Sequence, residues 1–342
     1  MAKKAKFTAM LALTCTAFLA AGCQSQIPSD LGDEMGNAQP VASPPSSDPA
    51  GEVIALPVSV AKVQAVERVG NTLAVRSAET IALGTVEDFR SGDAVEVSIP
   101  AECGELSAAS DSFVLACGQE VRLYPADHPR EEQVRSVEHR ATAATLLSSG
   151  ELATANDSED EVVIYPPQGD PVVIGVEAPT TQLLSQPISG APDALVRTWA
   201  EDTTIQDIDW TNEREGGRLR VGLGVGRIST GTEELLLASD TTGDQLAVYT
   251  TDDVVRLHQT APVPDSPWAV AWDESHRLAW VASTAGNILT GWDISQGVPE
   301  QRHSLSTVAN ATSLLALDNG TLVLASASGE GLQVINNPTS ST

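Results

Sequence analysis

Four cysteines are the most chemically capable residues of this chain, and they fall into different settings. Cys23 follows Leu19-Ala20-Ala21-Gly22, at the end of an apolar run from Phe7 to Ala21 that begins after Lys3, Lys4 and Lys6. Basic residues, a short apolar core and then small residues make an export signal. The run is too short to cross a bilayer, which needs roughly 20 apolar residues. A cysteine directly after the small residues offers a thiol for diacylglyceryl transfer, with cleavage between Gly22 and Cys23. Lipidation of Cys23 is therefore expected; two or three acyl chains, at about 0.8 kcal/mol per buried methylene, hold firmly. The competing reading is an ordinary secretory signal in which Cys23 is a bystander. Cys15 leaves with the signal. Cys103 and Cys117 then remain in an oxidising compartment. They flank an expected hairpin turning near Ser110-Asp111 and would face each other across it. The spacing predicts a disulfide worth on the order of 3 kcal/mol; the alternative is two free buried thiols.

Other candidates for chemistry are weaker. His128, His139, His258, His276 and His303 each stand alone, with no second His or Cys at the spacing of a zinc site. No Gly-x-Ser-x-Gly elbow is present. Gly222, Gly224 and Gly226 resemble half of a nucleotide fingerprint, but in the wrong order and outside any βαβ unit; crowding of a strand at an axis explains them better. The run Asp157-Ser158-Glu159-Asp160-Glu161 lacks the glycine and spacing of an EF-hand and reads as a solvated turn. Six tryptophans, Trp199, Trp210, Trp268, Trp272, Trp280 and Trp292, lie close together in the sequence. Most are expected to pack in the core. Trp268, in a loop after Pro267, is the candidate partner contact, because exposed Trp marks interfaces. No catalytic, cofactor or metal residue is assigned.

The elements that would position these residues come from a repeat. Thr80–Leu83, Val121–Tyr124, Val162–Tyr165, Ile205–Ile208, Leu246–Tyr249, Leu289–Trp292 and Leu332–Ile335 end 41 to 43 positions apart. A second apolar segment precedes each, across Gly, Asp, Asn or Thr, as in hairpins. Asp318-Asn319-Gly320 is the clearest turn. Seven units of this length, without helical periodicity, predict an all-β, seven-bladed β-propeller over residues 52–337; the alternatives are a β-solenoid or paired sandwiches. The fourth unit is the least regular. The last unit lacks an outer strand, and Glu52–Leu56 is the expected donor, closing the ring and removing an open edge.

Around this domain, residues 1–22 read as the cleaved signal, 23–51 as the lipidated cysteine and a disordered, Pro- and Ser-rich tether, and 338–342 as a tail. The chain has 19 basic and 46 acidic residues, net −27, and losing the three signal lysines lowers this by three to −30. That balance excludes nucleic acid, which binds through Lys and Arg.

Ser43–Gly51, Gly243–Tyr249, Leu278–Pro299 and Gly331–Ile335 resemble actinobacterial LppL-type lipoproteins, and Ala285–Asp293 resembles the blade ending of YVTN-like propellers. The resemblance implies an envelope lipoprotein with a propeller domain and brings no activity, substrate or catalytic residue. The expected protein is a monomer at the extracytoplasmic face of the cell membrane. Its partners are the membrane, through lipid on Cys23, and an envelope protein or glycan. The first functional reading is a non-catalytic binding or scaffold module, without cofactor. The second is a channel-mouth enzyme of lactonase-like or quinoprotein-like type.

Overall fold

The computed structural model describes residues 35–232 and 234–340; the signal, Cys23 and the first part of the tether lie outside them. Seven antiparallel sheets follow one another along the chain. The first is built from Ala65–Val69, Thr72–Arg76, Thr80–Thr85 and Val95–Ser98. The second is Leu106–Ala108, Ser112–Pro125 and Gln133–Ala141; the third is Ala143–Leu146, Leu152–Ala155, Glu161–Tyr165 and Val172–Gly175. The fourth is Gln182–Gln186, Ala194–Trp199, Thr204–Asp209 and Arg214–Arg220, so the least regular repeat still supplies four strands. The fifth is Val225–Thr230, Leu235–Asp240, Gln245–Thr250 and Arg256–Pro262; the sixth is Pro267–Asp273, Leu278–Ser283, Ile288–Asp293 and Glu300–Ser306. The seventh is Ala311–Ala316, Leu322–Ser326 and Leu332–Ile335, completed by Glu52–Ile54.

That last pairing is the expected closure. Glu52 faces Val334, Val53 faces Gln333 and Ile54 faces Leu332. The expected repeat segments fall in the third strand of six sheets; in the second sheet Val121–Tyr124 forms the later part of Ser112–Pro125. In the second sheet, Ser112–Pro125 is one extended run, yet Ala126 N–H donates to the Asp111 carbonyl at 2.9 Å. Fourteen straight residues would part those ends by about 46 Å, so the run doubles back. It turns at Gly118, whose φ of +69° suits a glycine. The Asp318-Asn319-Gly320 turn is also present, with Gly320 N–H bonded to the Leu317 carbonyl at 2.8 Å.

A ring needs as many interfaces as blades, and seven apolar clusters provide them. Leu73, Val75 and Phe89 of the first blade pack on Val323, Leu332 and Val334 of the seventh. Phe113 and Leu115 pack on Ile81 and Leu83, Trp280 on Leu322 and Leu324, and Trp292 on Leu237 and Leu246. The remaining clusters join second to third, third to fourth and fourth to fifth blades. Each fully buried Leu or Phe contributes roughly 1.5–3 kcal/mol; alternation along the strands gives every sheet two apolar faces to bury. One short helix, Val86–Ser91, interrupts the first blade. Thr85 and Asp88 form its capping box and Gly92 its left-handed end.

The tether differs from expectation. Read as disordered through residue 51, it lies from residue 35 onward against the propeller face where the first strand of each blade begins, here the upper face. Gly36 N–H donates to the Leu223 carbonyl (2.8 Å) and Asn37 N–H to that of Ala200 (2.7 Å). Ser43 Oγ donates to the Thr284 carbonyl (2.7 Å) and accepts from Asn310 N–H (2.7 Å). Ser46 Oγ donates to the Thr307 carbonyl (2.6 Å). The strap thus runs over blades four to seven before becoming the closing strand. It docks mainly by hydroxyls and backbone groups, which is why it shows no apolar periodicity.

Candidate functional site: the central channel

Ala65, Ala108, Leu146, Leu184, Ile228, Ala269 and Leu314 come from the first strands of all seven blades, and all line one cavity of about 440 Å³. The first strands therefore surround the axis. Most of the lining residues are small or apolar, and four are charged: Glu67, Arg68, Asp193 and Arg227.

Arg227, the third residue of its strand, reaches across the axis to the second blade. Its guanidinium donates to Glu105 Oε1 at 3.1 Å and Oε2 at 2.9 Å. Two parallel charge-assisted bonds fix orientation as well as charge. The pair spans 122 positions of sequence and two blades that are not neighbours. Burial opposes the guanidinium's charge, but Glu105 beside it, and Glu67 beyond, hold its pKa above the ordinary value.

Glu105 is itself held from below. The Cys103–Cys117 disulfide, with S–S 2.02 Å, ties its loop to the second blade. Gly104 N–H donates to the Ala116 carbonyl (2.7 Å), and Glu105 N–H to that of Thr142 (2.6 Å). A Cβ on Gly104 would stand 2.0 Å from the Thr142 carbonyl oxygen, so only glycine fits. Buried Arg76 donates to the Cys103 carbonyl at 2.6 Å. Desolvation lowers the Arg76 pKa against the pull of Glu105. The expected disulfide is present, with one correction. Leu106 faces Leu115, a register one position from that expected, and Cys103 precedes the strand instead of pairing within it.

Glu67, the middle residue of Ala65–Val69, is half-buried and reaches only the channel. Among the described residues its carboxylate has no hydrogen-bond donor. Removal from bulk water pushes its pKa up to about 7; Arg227 pulls it down and Glu105 pushes it up. Of the four charged lining residues, Arg227 is paired with Glu105, Arg68 with Asp318, and Asp193 accepts from Ser148 N–H; the Glu67 carboxylate alone has no hydrogen-bond donor among the described residues.

The other sequence candidates lie elsewhere. None of the five histidines lines the channel. His139 Nδ1 meets Glu161 at 2.6 Å and His276 Nδ1 meets Asp273 at 2.7 Å. The acidic run is a turn organised by Asn156, whose Oδ1 accepts from Ser158 and Glu159 N–H; no group of three potential metal ligands occurs among the described residues. Gly222, Gly224 and Gly226 are required by side chains rather than the axis. Side chains added there would strike Asp240, Thr242 and Ser239.

Trp280 and Trp292 are buried, and Trp210, Trp268 and Trp272 pack half-buried on blade clusters. Trp268 is not in a loop. It is the second residue of the strand Pro267–Asp273, and Ser239 Oγ donates to its carbonyl at 2.6 Å. A second cavity of about 400 Å³ opens between blades five and six, beside Trp272, His276 and Asp293.

The charged cluster that sequence reasoning missed is Glu67–Arg227–Glu105. Only the repeat could have signalled it, by placing each residue at or near a first strand.

No protein family matches the chain, and no curated protein does. Solved structures do. Streptogramin B lyase aligns over 83% of this chain and 96% of its own at 12% identity, TM-score 0.64. Hydrazine synthase of Kuenenia stuttgartiensis covers 82% and 97% at 10% identity, TM-score 0.63. The WD40 β-propeller domain of Doa1 covers 84% and 97% at 11% identity, TM-score 0.59. At such identities the likeness establishes the fold alone: this chain is a seven-bladed β-propeller.

Proposed function

We propose that this protein is a lipid-anchored module of the bacterial cell envelope, akin to the actinobacterial LppL-type lipoproteins, whose propeller binds a partner or ligand without transforming it. The observation that carries the binding half is the channel. Seven blades converge on one cavity in which a cross-axis ion pair leaves a single carboxylate free to meet a ligand. A rigid ring with a preformed pocket that combines apolar side chains with a few placed polar groups is how ligand sites are commonly built.

The anchoring half is supported by the Leu19–Cys23 box and by the strap. Only eleven residues separate Cys23 from Met35, a reach of at most about 40 Å. The upper face would then lie toward the membrane and the lower face toward the envelope space. An envelope protein or glycan is the proposed partner, bound by a monomer. Trp268 remains its proposed contact, through the part of its half-buried side chain that stays exposed.

The enzymatic alternative has one point in its favour: a carboxyl with a pKa near 7 can move protons at neutral pH. The test has two readouts on protein from a lipoprotein-processing bacterium. Mass spectrometry of the mature N-terminal peptide is expected to find acylated Cys23, and an unacylated terminus overturns the anchor. Thermal shift against lactone, sugar and envelope-glycan panels is expected to show stabilisation without turnover. Turnover of a lactone, or of a quinone-linked substrate, would transfer the protein to the enzymatic reading.

A further inference from the structure

We propose that the channel is a binding site for a small organic amine, held as an ammonium ion against Glu67 with its hydrocarbon body along the first strands. This deepens the binding-module reading and rests on it.

The argument is one of elimination among charges that the fold has already placed. An anionic ligand would need Arg227, but both terminal nitrogens of that guanidinium are engaged by Glu105. It would also meet Glu67 at close range. A divalent cation such as Ca²⁺ takes six to eight oxygen ligands. Here Glu67 offers one carboxylate, Glu105 is committed to Arg227, and Asp193, the other carboxylate of the lining, already accepts from Ser148 N–H at 2.7 Å, so no set of six oxygens is at hand. A purely apolar ligand would leave Glu67 desolvated and unpaired, which is costly for a carboxylate. An ammonium group removes that cost. It supplies up to three donors and the opposite charge, and four or five methylenes can lie against Ala108, Leu146, Leu184, Ile228, Ala269 and Leu314. The cavity, at about 440 Å³, falls within the usual ligand range of roughly 300–1,000 Å³.

The charges facing the site are of both signs and sum to a negative value. Glu67 comes from the first blade, Glu105 from the second, Asp193 from the fourth and Arg227 from the fifth, together two net negative charges, with Asp193 held by Ser148 N–H. Arg76 spends a donor on the Cys103 carbonyl. Arg68, next to Glu67, is paired with Asp318 at 2.8 Å. The chain's net charge of −27 adds a long-range field that draws cations in.

The test uses the mature protein in detergent micelles, with 1-butylamine as probe and butyrate and 1-butanol as controls, followed by isothermal titration calorimetry. Butylamine is expected to bind at pH 8, with butyrate and butanol at least tenfold weaker. Because Glu67 takes up a proton as pH falls through about 7, affinity should drop several-fold between pH 8 and pH 6. Glu67→Gln should lose at least tenfold, while Glu67→Asp, which keeps the charge, should retain binding; melting curves check that both fold. Absence of butylamine binding at pH 8, or equal binding by Glu67→Gln, overturns the amine site. Binding of butyrate or butanol in its place also overturns it, but leaves the channel standing as a ligand site.

Discussion

Two buried arginines, Arg197 in the fourth blade and Arg227 at the axis, solve the same problem in opposite ways. Arg197 is 1% exposed and has no carboxylate within hydrogen-bond reach. Its Nε donates to Gln206 Oε1 (2.8 Å), and one terminal nitrogen donates to the carbonyls of Ala178 (2.8 Å) and Pro179 (2.6 Å). Burial among neutral acceptors pushes its pKa down to about 10. Arg227 instead meets a carboxylate, and a second carboxylate beside it is left over. Burial is therefore a poor guide to function in this ring. What distinguishes the axis is the unmatched group: Arg197 leaves nothing for a ligand to complete, whereas the channel leaves Glu67.

The comparison can be broken first at Arg197. Replacing it with Ala strands Gln206 and two carbonyls in a cavity, and should cost about 3–5 kcal/mol. Urea unfolding monitored by circular dichroism measures this, and a loss below about 1 kcal/mol would mean Arg197 is not a structural post. The next effect belongs to the support of Glu105. Cys103→Ala with Cys117→Ala should lower stability by about 3 kcal/mol and also weaken ligand binding in the channel, which Arg197 variants that still fold should not. Calorimetry on both sets separates the two arginines.

Glu67 gives the third effect, and its sign is opposite. Its carboxyl titrates near 7 in the folded protein and near 4.5 unfolded, so between those values the native state holds a proton that the unfolded chain releases. Stability contributed by Glu67 is present below about pH 4.5 and is lost as pH rises through 7. Glu67→Gln should therefore be more stable than the parent at pH 8, by about 1–2 kcal/mol after allowance for channel water, and the difference should vanish at pH 4. A destabilised variant at pH 8 would show that Glu67 is already paired. Smallest is Arg227→Lys, which keeps the charge but loses one of two parallel bonds. About 1 kcal/mol is expected in the same unfolding assay, and a loss equal to that of Arg197→Ala would erase the distinction.

How much of this was legible depended on the range of the signal. The ring was readable because each blade repeats its own local pattern of apolar segment, turn and apolar segment, and Leu332–Ile335 visibly lacked an outer partner. The disulfide was readable because Cys103 and Cys117 lie within one hairpin, although its register slipped by one. Glu105 and Arg227 meet only after three more blades have closed the circle between them, and nothing local to either says so. The strap was misread for a different reason. Pro44, Pro45, Ser43 and Ser46 carry the composition of a free linker, yet hydroxyls and carbonyls dock it. Trp268 was misplaced by one element because Pro267 starts its strand, an edge position that a proline tolerates.

The strap also decides how the ring answers to force. A pull applied upstream of Met35 meets its attachments in series, first at Leu223 and Ala200, then at Thr284 and Asn310, then at Thr307. Each can peel and re-form separately, like successive stitches. Tension reaches Glu52–Ile54, the strand that keeps the seventh sheet whole, only when the stitches above it have given way. The strap is thus a shock absorber that fails gradually before the circle opens.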